Sequence, residues 1–289
     1  MKKVLMLDAF KPEYLKYAPY LKSLTKKYAH GRLKIPMGFV RGMDVFFNGQ
    51  SNILAKFKRS GNLSWTKYFY WLGKFPLAII INTIRLLKNN KEYFWLYNIP
   101  LKKLRYFDVC IKKPLHEGKK CKYKRIGKLD PISHKYGTKS KETIKCIKEI
   151  DNIIKKEEFD ILLSDHGMID IKETISVPRT DICFIDGTMA RYWDKKPKIN
   201  LKKGKWIKGN EEYGKYIFLA NPGILIFPNF WNQNPDKGMH GYSSTCKEMD
   251  GFYLIQKEGG RKDISIEELN KILIKEVGYK RLFIDSQPT

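Results

Sequence analysis

The sequence is poor in acidic residues, paired cysteines and long apolar stretches, and each shortage narrows what the chain does. Its five cysteines are Cys110, Cys121, Cys146, Cys183 and Cys246. They form no C-x-x-C pair and their number is odd. This argues against a disulfide framework and against a thiolate zinc site, and for free thiols in a reducing compartment. The longest apolar run, Phe75 to Ile81, is far short of the ~20 residues of a membrane span. No segment reads as a signal peptide. Val4-Leu5-Met6-Leu7 begins almost at Met1 and ends in Asp8, so it reads as part of the fold. The expected location is the cytoplasm.

The 30 acidic residues face 56 Lys and Arg, a formal charge of +26. Lys, Ile, Asn and Tyr are all abundant, so part of this excess reflects composition. The distribution shows more. Residues 55–126 hold 18 Lys and Arg against Glu92, Asp108 and Glu117, or +15 in a quarter of the chain. A concentrated charge of this kind suits an anionic partner: a phosphorylated substrate, an acidic membrane surface or nucleic acid. Aromatic residues are interleaved with it, among them Trp65, Phe69 and Trp71. Aromatics stack on bases and clustered lysines track phosphates, but no nucleic-acid motif is present. Contact with the periphery of an anionic membrane fits the same residues.

The rest of the chain alternates. KKVLMLD reads as a buried strand. From Pro12 to Tyr28, Tyr17, Leu21, Leu24 and Tyr28 recur at helical spacing, with Pro19 as a kink or a start. Ser140 to Glu157 is an amphipathic helix with Ser140 as its cap and Ile144, Ile147, Ile150 and Ile154 on one face. FDILLSD, Ile182 to Ile185 and YIFLANPGILIFPN supply further strands, and IEELNKILIKEVGYKRLF a closing helix. Apolar strands alternating with helices predict a three-layer α/β/α core around a mostly parallel sheet. The predicted core is 1–54 with 127–289. Residues 55–126 are a basic, aromatic-rich helical cap inserted into it.

In ILLSDHG the apolar run stops at Ser164, and Asp165 and His166 follow side by side. Asp and Gly after a strand are ordinary turn residues, so the reading depends on partners elsewhere. Asp8 closes the first strand. Asp130 and His134 stand four apart in KLDPISHKYG, with Pro131 forcing a turn. His240 lies in KGMHGYSS. Of five histidines, only His30 and His116 sit in unremarkable lysine-rich segments. Six carboxylate and imidazole ligands suffice for two divalent ions, with zinc favoured and manganese the alternative. Two such ions about 4 Å apart clamp a phosphoryl group. Ligands in parallel sheets gather at the carboxyl ends of strands, and Asp8 and Asp165 belong there.

The order of MLDAF, GFVRGMDVFFNG (38–49), LDPISHKYG (129–137), LLSDHGM (162–168) and MHGYSS (239–244) resembles the alkaline phosphatase superfamily, in its type I phosphodiesterase/nucleotide pyrophosphatase branch. The resemblance spans most of the chain outside the basic segment. It implies an α/β/α core, a cap, two metal ions, usually zinc, and hydrolysis of phosphate esters. Carried over by motif, Asp8, Asp165 and His166 hold one ion, and Asp130, His134 and His240 the other. YNIPLKKLRYFD and FIDGTMARYW also resemble stretches of phosphatase-like relatives. Tyr97, Asn98 and Arg191 are expected to pack or brace the cap.

Two departures stand out. The resemblance implies a Thr or Ser nucleophile shortly before FFNG, yet Pro36 to Asp44 contains neither. The position falls near Val40, between Phe39 and Arg41, with Asp44 and Ser51 as weak substitutes. The stretch KKCKYKRIGKLD, where relatives have a helix and an apolar strand, reads as a missing or poorly formed strand. Three functions follow. One is a two-metal phosphoesterase in which water replaces the absent hydroxyl. Another is a catalytically impaired homologue that binds metal and a phosphorylated or lipid-linked ligand. The last is an anionic membrane or nucleic-acid binder on the same fold.

Overall fold

The computed structural model describes residues 2–38, 56–57, 107–108, 121–211, 214–229, 232 and 234–277. Val40, Asp44, Ser51, Tyr97, Asn98, His116 and nearly all of the predicted cap lie outside them. The chain forms two compact units. The first takes Met1–Asn52, Pro114–Ile169 and Ser244–Thr289, and the second Ile53–Lys113 and Asp170–Ser243.

The first unit is built on β1 (Lys2–Leu7), whose last four residues are buried. Successive side chains of a strand point to opposite faces. Val4 and Met6 therefore join one core, and Leu5 and Leu7 the other. The sheet adds β2 (Tyr28–Lys34), β5 (Cys121–Ile126), β6 (Ile161–Ser164), β15 (Gly251–Glu258) and β16 (Ile264–Ser265) in the order β16-β2-β15-β6-β1-β5. Three of its five pairings are parallel. One face packs against Leu269 and Leu273 of a helix at Ile266–Val277. The other packs against a 3-10 turn at Pro12–Tyr17, α1 (Pro19–Leu24) and a helix at Lys141–Ile154. With α2 (Leu129–Tyr136) before it, the helix at 141–154 is α3 and that at 266–277 is α4. This is the expected three-layer α/β/α arrangement.

Ser140 caps α3 as expected, its Oγ accepting from Thr143 N at 3.1 Å. Ile147, Ile150 and Ile154 are buried. From the same helix Asp151 accepts from Tyr20 N and Leu21 N, each at 2.9 Å. It thereby satisfies two amide groups at the start of α1 that have no partner inside that helix.

Two expectations need correction. The single helix from Pro12 to Tyr28 is interrupted: Pro19 fixes the first turn of α1, the helix ends at Leu24, and Tyr28 opens β2. And KKCKYKRIGKLD does form a strand. β5, which its charge assigns to the cap insertion, pairs in parallel with β1 along its full length, from Lys2↔Cys121 to Leu7↔Ile126. Among the described residues it is an edge strand, where lysines are tolerated because charge blocks pairing with other chains. Tyr123 lies inward, its hydroxyl 2.8 Å from Met6 Sδ.

In the second unit, β3 (Lys56–Phe57) pairs with β4 (Phe107–Asp108). β7 (Ile169–Asp170) spans the junction between the units. β8 (Glu173–Ile175) runs parallel to β13 (Ile224–Ile226). β9 (Cys183–Ile185), β10 (Met189–Tyr192), β11 (Gly204–Asn210) and β12 (Gly214–Ala220) form an antiparallel sheet ordered β11-β12-β10-β9, and β14 (Gly238–Met239) precedes His240. Arg191 is fully buried there. Its Nε donates to Asp186 Oδ2 at 2.5 Å, and its guanidinium lies 4.8 Å from the Phe184 ring centroid. Arg191 therefore packs within its own sheet.

Candidate metal centre

Parallel register builds the site. Leu7 of β1 pairs with Ser164 of β6 on one side and Ile126 of β5 on the other. One residue further on, Asp8 and Asp165 leave the same sheet edge side by side. α2 begins three residues after β5. Pro131 lies in its first helical turn, where its missing N–H costs nothing; it starts a helix where the sequence predicts a turn. Four residues apart on this helix, Asp130 and His134 share a face, with His134 Nε2 3.3 Å from Asp130 Oδ1.

His166 stands among these groups. Its Nε2 lies 3.5 Å from Asp8 Oδ1, 3.8 Å from Asp165 Oδ2 and 3.9 Å from Asp130 Oδ1. Its Nδ1 is 2.9 Å from the Gly167 carbonyl. A carbonyl only accepts, so Nδ1 carries the proton and Nε2 faces the carboxylates, the tautomer a metal requires. Asp165 Oδ1 accepts from Ala9 N at 3.2 Å and His166 N at 3.1 Å, which leaves Oδ2 turned inward. Ala9 adopts a left-handed conformation at φ 59°. Such backbone is uncommon outside glycine and concentrates at functional sites.

Gly167 is held by a close approach. A Cβ there would come within 2.1 Å of the Glu248 carbonyl oxygen. Its N–H donates to the Met249 carbonyl at 2.7 Å. Ser164 Oγ accepts from Phe10 N at 2.8 Å and donates to the His166 carbonyl at 2.9 Å. The D-H-G turn is thus fastened to the strand ends on both sides.

The donor atoms of Asp8, Asp165 and His166 lie within 4.8 Å of one another, and all three residues are buried. Burial pushes the Asp165 carboxyl up to about 7; His166 pulls it back, and Asp8 and Asp130 push it further up. Burial also works against the His166 imidazolium, but Asp165, Asp130 and Asp8 outweigh it and raise its pKa. With two inward carboxylate oxygens and a correctly oriented imidazole, Asp8, Asp165 and His166 fit a divalent cation.

Five of the six predicted ligands thus converge in the first unit. His240 belongs to the second, where its loop is fixed by Thr188 Oγ1 donating to the Gly241 carbonyl at 3.3 Å and Tyr242 Oη to the Ile224 carbonyl at 3.0 Å. The sequence did not mark Arg125, whose guanidinium pairs with Asp8. One arginine in a run of basic residues carries no signal until β5 is aligned with β1.

No family model and no curated protein matches the sequence. Solved structures do. The chain is similar to murine ectonucleotide pyrophosphatase/phosphodiesterase 5, solved as an inactive threonine-to-alanine variant in complex with AMP. Identity is 15%, coverage 99% of this chain and 98% of that one, and the TM-score 0.63. The human ectonucleotide pyrophosphatase/phosphodiesterase 5 gives 14%, 99% and 97%, and 0.64. The fold is therefore the alkaline phosphatase-like fold of these enzymes' structures, in line with the order of motifs in the sequence.

Proposed function

We propose that this protein is a metal-dependent hydrolase of phosphate esters. The observation that carries this reading is the convergence of Asp8, Asp165 and His166 at the carboxyl edge of the parallel sheet. In the proposal these three hold one divalent ion and Asp130, His134 and His240 a second. The place of His240 rests on the order of sequence motifs alone. A divalent ion there supplies Lewis acidity toward a phosphoryl oxygen. The chain's own part is to orient the ligands, through the Gly167 carbonyl on His166 and the Ala9 amide on Asp165, and to exclude water from their inner faces. Zinc is the favoured ion on donor chemistry.

The AMP complex of the murine neighbour supports a nucleotide-like phosphate ester as ligand. A second reading, a slow or inactive homologue that binds such a ligand, draws on the lack of Thr or Ser from Pro36 to Asp44. Metal analysis of the purified protein, with a screen of phosphomonoesters and phosphodiesters, separates the two. Bound metal with turnover supports the hydrolase. Bound metal and AMP binding without turnover supports the second reading. Absence of metal after zinc or manganese loading defeats both.

A further inference from the structure

Asp8 and Asp165 present their carboxylates in the same way by different means. Each turns one oxygen toward His166 Nε2, Oδ1 of Asp8 at 3.5 Å and Oδ2 of Asp165 at 3.8 Å. Each has its other oxygen tied back. For Asp165 the tie is made by two backbone amides, Ala9 and His166. For Asp8 it is made by a side chain, the guanidinium of Arg125 on Oδ2. Arg125 reaches it from the neighbouring strand: it pairs in register with Met6, and Asp8 N donates to the Ile126 carbonyl at 3.1 Å. The Asp8 side chain is 3% exposed and that of Arg125 57%. An exposed edge-strand residue thus fixes a buried ligand.

We propose that Arg125 is a positioning residue of the metal centre: it holds Oδ2 of Asp8 and leaves Oδ1 as the single oxygen offered to a divalent cation. The inference rests on the metal centre proposed above. Two effects of Arg125 oppose each other. Its charge repels a cation. The guanidinium is itself more than half exposed, so water and salt damp that repulsion without abolishing it. Loss of an outer contact that orients a ligand costs about 10–100-fold. In the proposal orientation outweighs repulsion, and the sign of the affinity change on removing Arg125 decides between them. Lysine keeps the charge but not the planar fork.

The test uses the full chain, stripped of metal and titrated with zinc and with cobalt(II) against a chromophoric chelator. Arg125→Ala and Arg125→Gln are expected to lower affinity at least tenfold. Arg125→Lys should recover part of the loss. The cobalt(II) visible spectrum of the alanine variant should shift, because the Asp8 carboxylate binds differently. The thermal midpoint should fall only modestly, since Arg125 is more than half exposed although its loss leaves the buried Asp8 carboxylate without this partner. Unchanged or tighter binding by the alanine and glutamine variants overturns the inference while leaving the metal centre standing. A wild-type protein that binds neither ion removes the metal centre itself, and the inference with it.

Discussion

Single atoms set the centre. The D-H-G turn closes only because residue 167 has no side chain: the space a Cβ would fill is taken by the Glu248 and Asp250 carbonyls. Gly167→Ala must displace backbone, which costs about 1–3 kcal/mol in a packed site. It should lower the unfolding free energy measured in urea by that amount and, by moving His166, weaken zinc binding in the same preparation. A variant of wild-type stability would show that the 248–250 segment yields freely. The nucleophile is also a question of one atom. If the geometry implied by the motif order holds at residue 40, Val40→Thr supplies the missing hydroxyl and should create or raise phosphodiesterase activity. An unchanged rate in a folded, metal-loaded variant would move attention to Arg41.

Elements are fastened by side chains from distant parts of the chain. α1 has only six residues and begins with proline, so little inside it resists fraying. Asp151 of α3 takes up its Tyr20 and Leu21 amides. Asp151→Ala leaves those donors without the carboxylate, and a loss of about 1–3 kcal/mol is expected in equilibrium denaturation. Asp151→Asn, which keeps one acceptor oxygen, should lose less. What was legible in the sequence divides along the same line. β1, β6 and α3 were readable because burial on both faces, or on one helical face, writes a continuous or periodic apolar pattern. Asp8 and Asp165 were readable because they break such a run, and Asp130 with His134 because two ligand types stand four residues apart, although the helix that carries them read as a turn at Pro131. β2 was hidden by a helix-like spacing that ran across Pro19. β5 was hidden by edge-strand charge, and Arg125 with it. The closure over Gly167 was invisible because it depends on carbonyls about eighty residues away.

At the scale of the whole molecule, charge and pH are the levers. Asp250 is 5% exposed. Burial pushes its carboxyl up to about 6, against the pull of Arg32, with Asp263 and Glu13 adding to the rise. The folded protein therefore keeps this proton over a range where the unfolded chain, near 3.8, has released it. That contribution to stability is present below about pH 4 and is lost as pH rises through about 6. Asp250→Asn removes the titration. Relative to wild type, its urea midpoint should rise between pH 4 and 6 and stay level above. A constant difference across that range would rule out Asp250 as the group responsible. The +15 of residues 55–126 makes a separate prediction. If it attracts an anionic surface or substrate, binding to anionic vesicles or to oligonucleotides should weaken with salt, as screening shortens from about 10 Å at 0.1 M to about 3 Å at 1 M. Vesicle binding alone favours a membrane, and oligonucleotide binding alone a nucleic acid. Binding to neither leaves the charge as composition.

The position of β15 has a consequence in time. It sits between β2 and β6, yet both of those strands leave the ribosome long before it does. At ~5–20 residues per second, roughly ten seconds separate the synthesis of β6 from that of β15. Through that interval the buried sequence Ile161-Leu162-Leu163 has an open edge, the kind that pairs with other chains. The Met249 carbonyl that receives Gly167 does not yet exist. The turn carrying Asp165 and His166 therefore lacks this partner until residue 249 has been made. On the proposed reading, a nascent chain offers a metal its complete turn only once β15 has been made and paired.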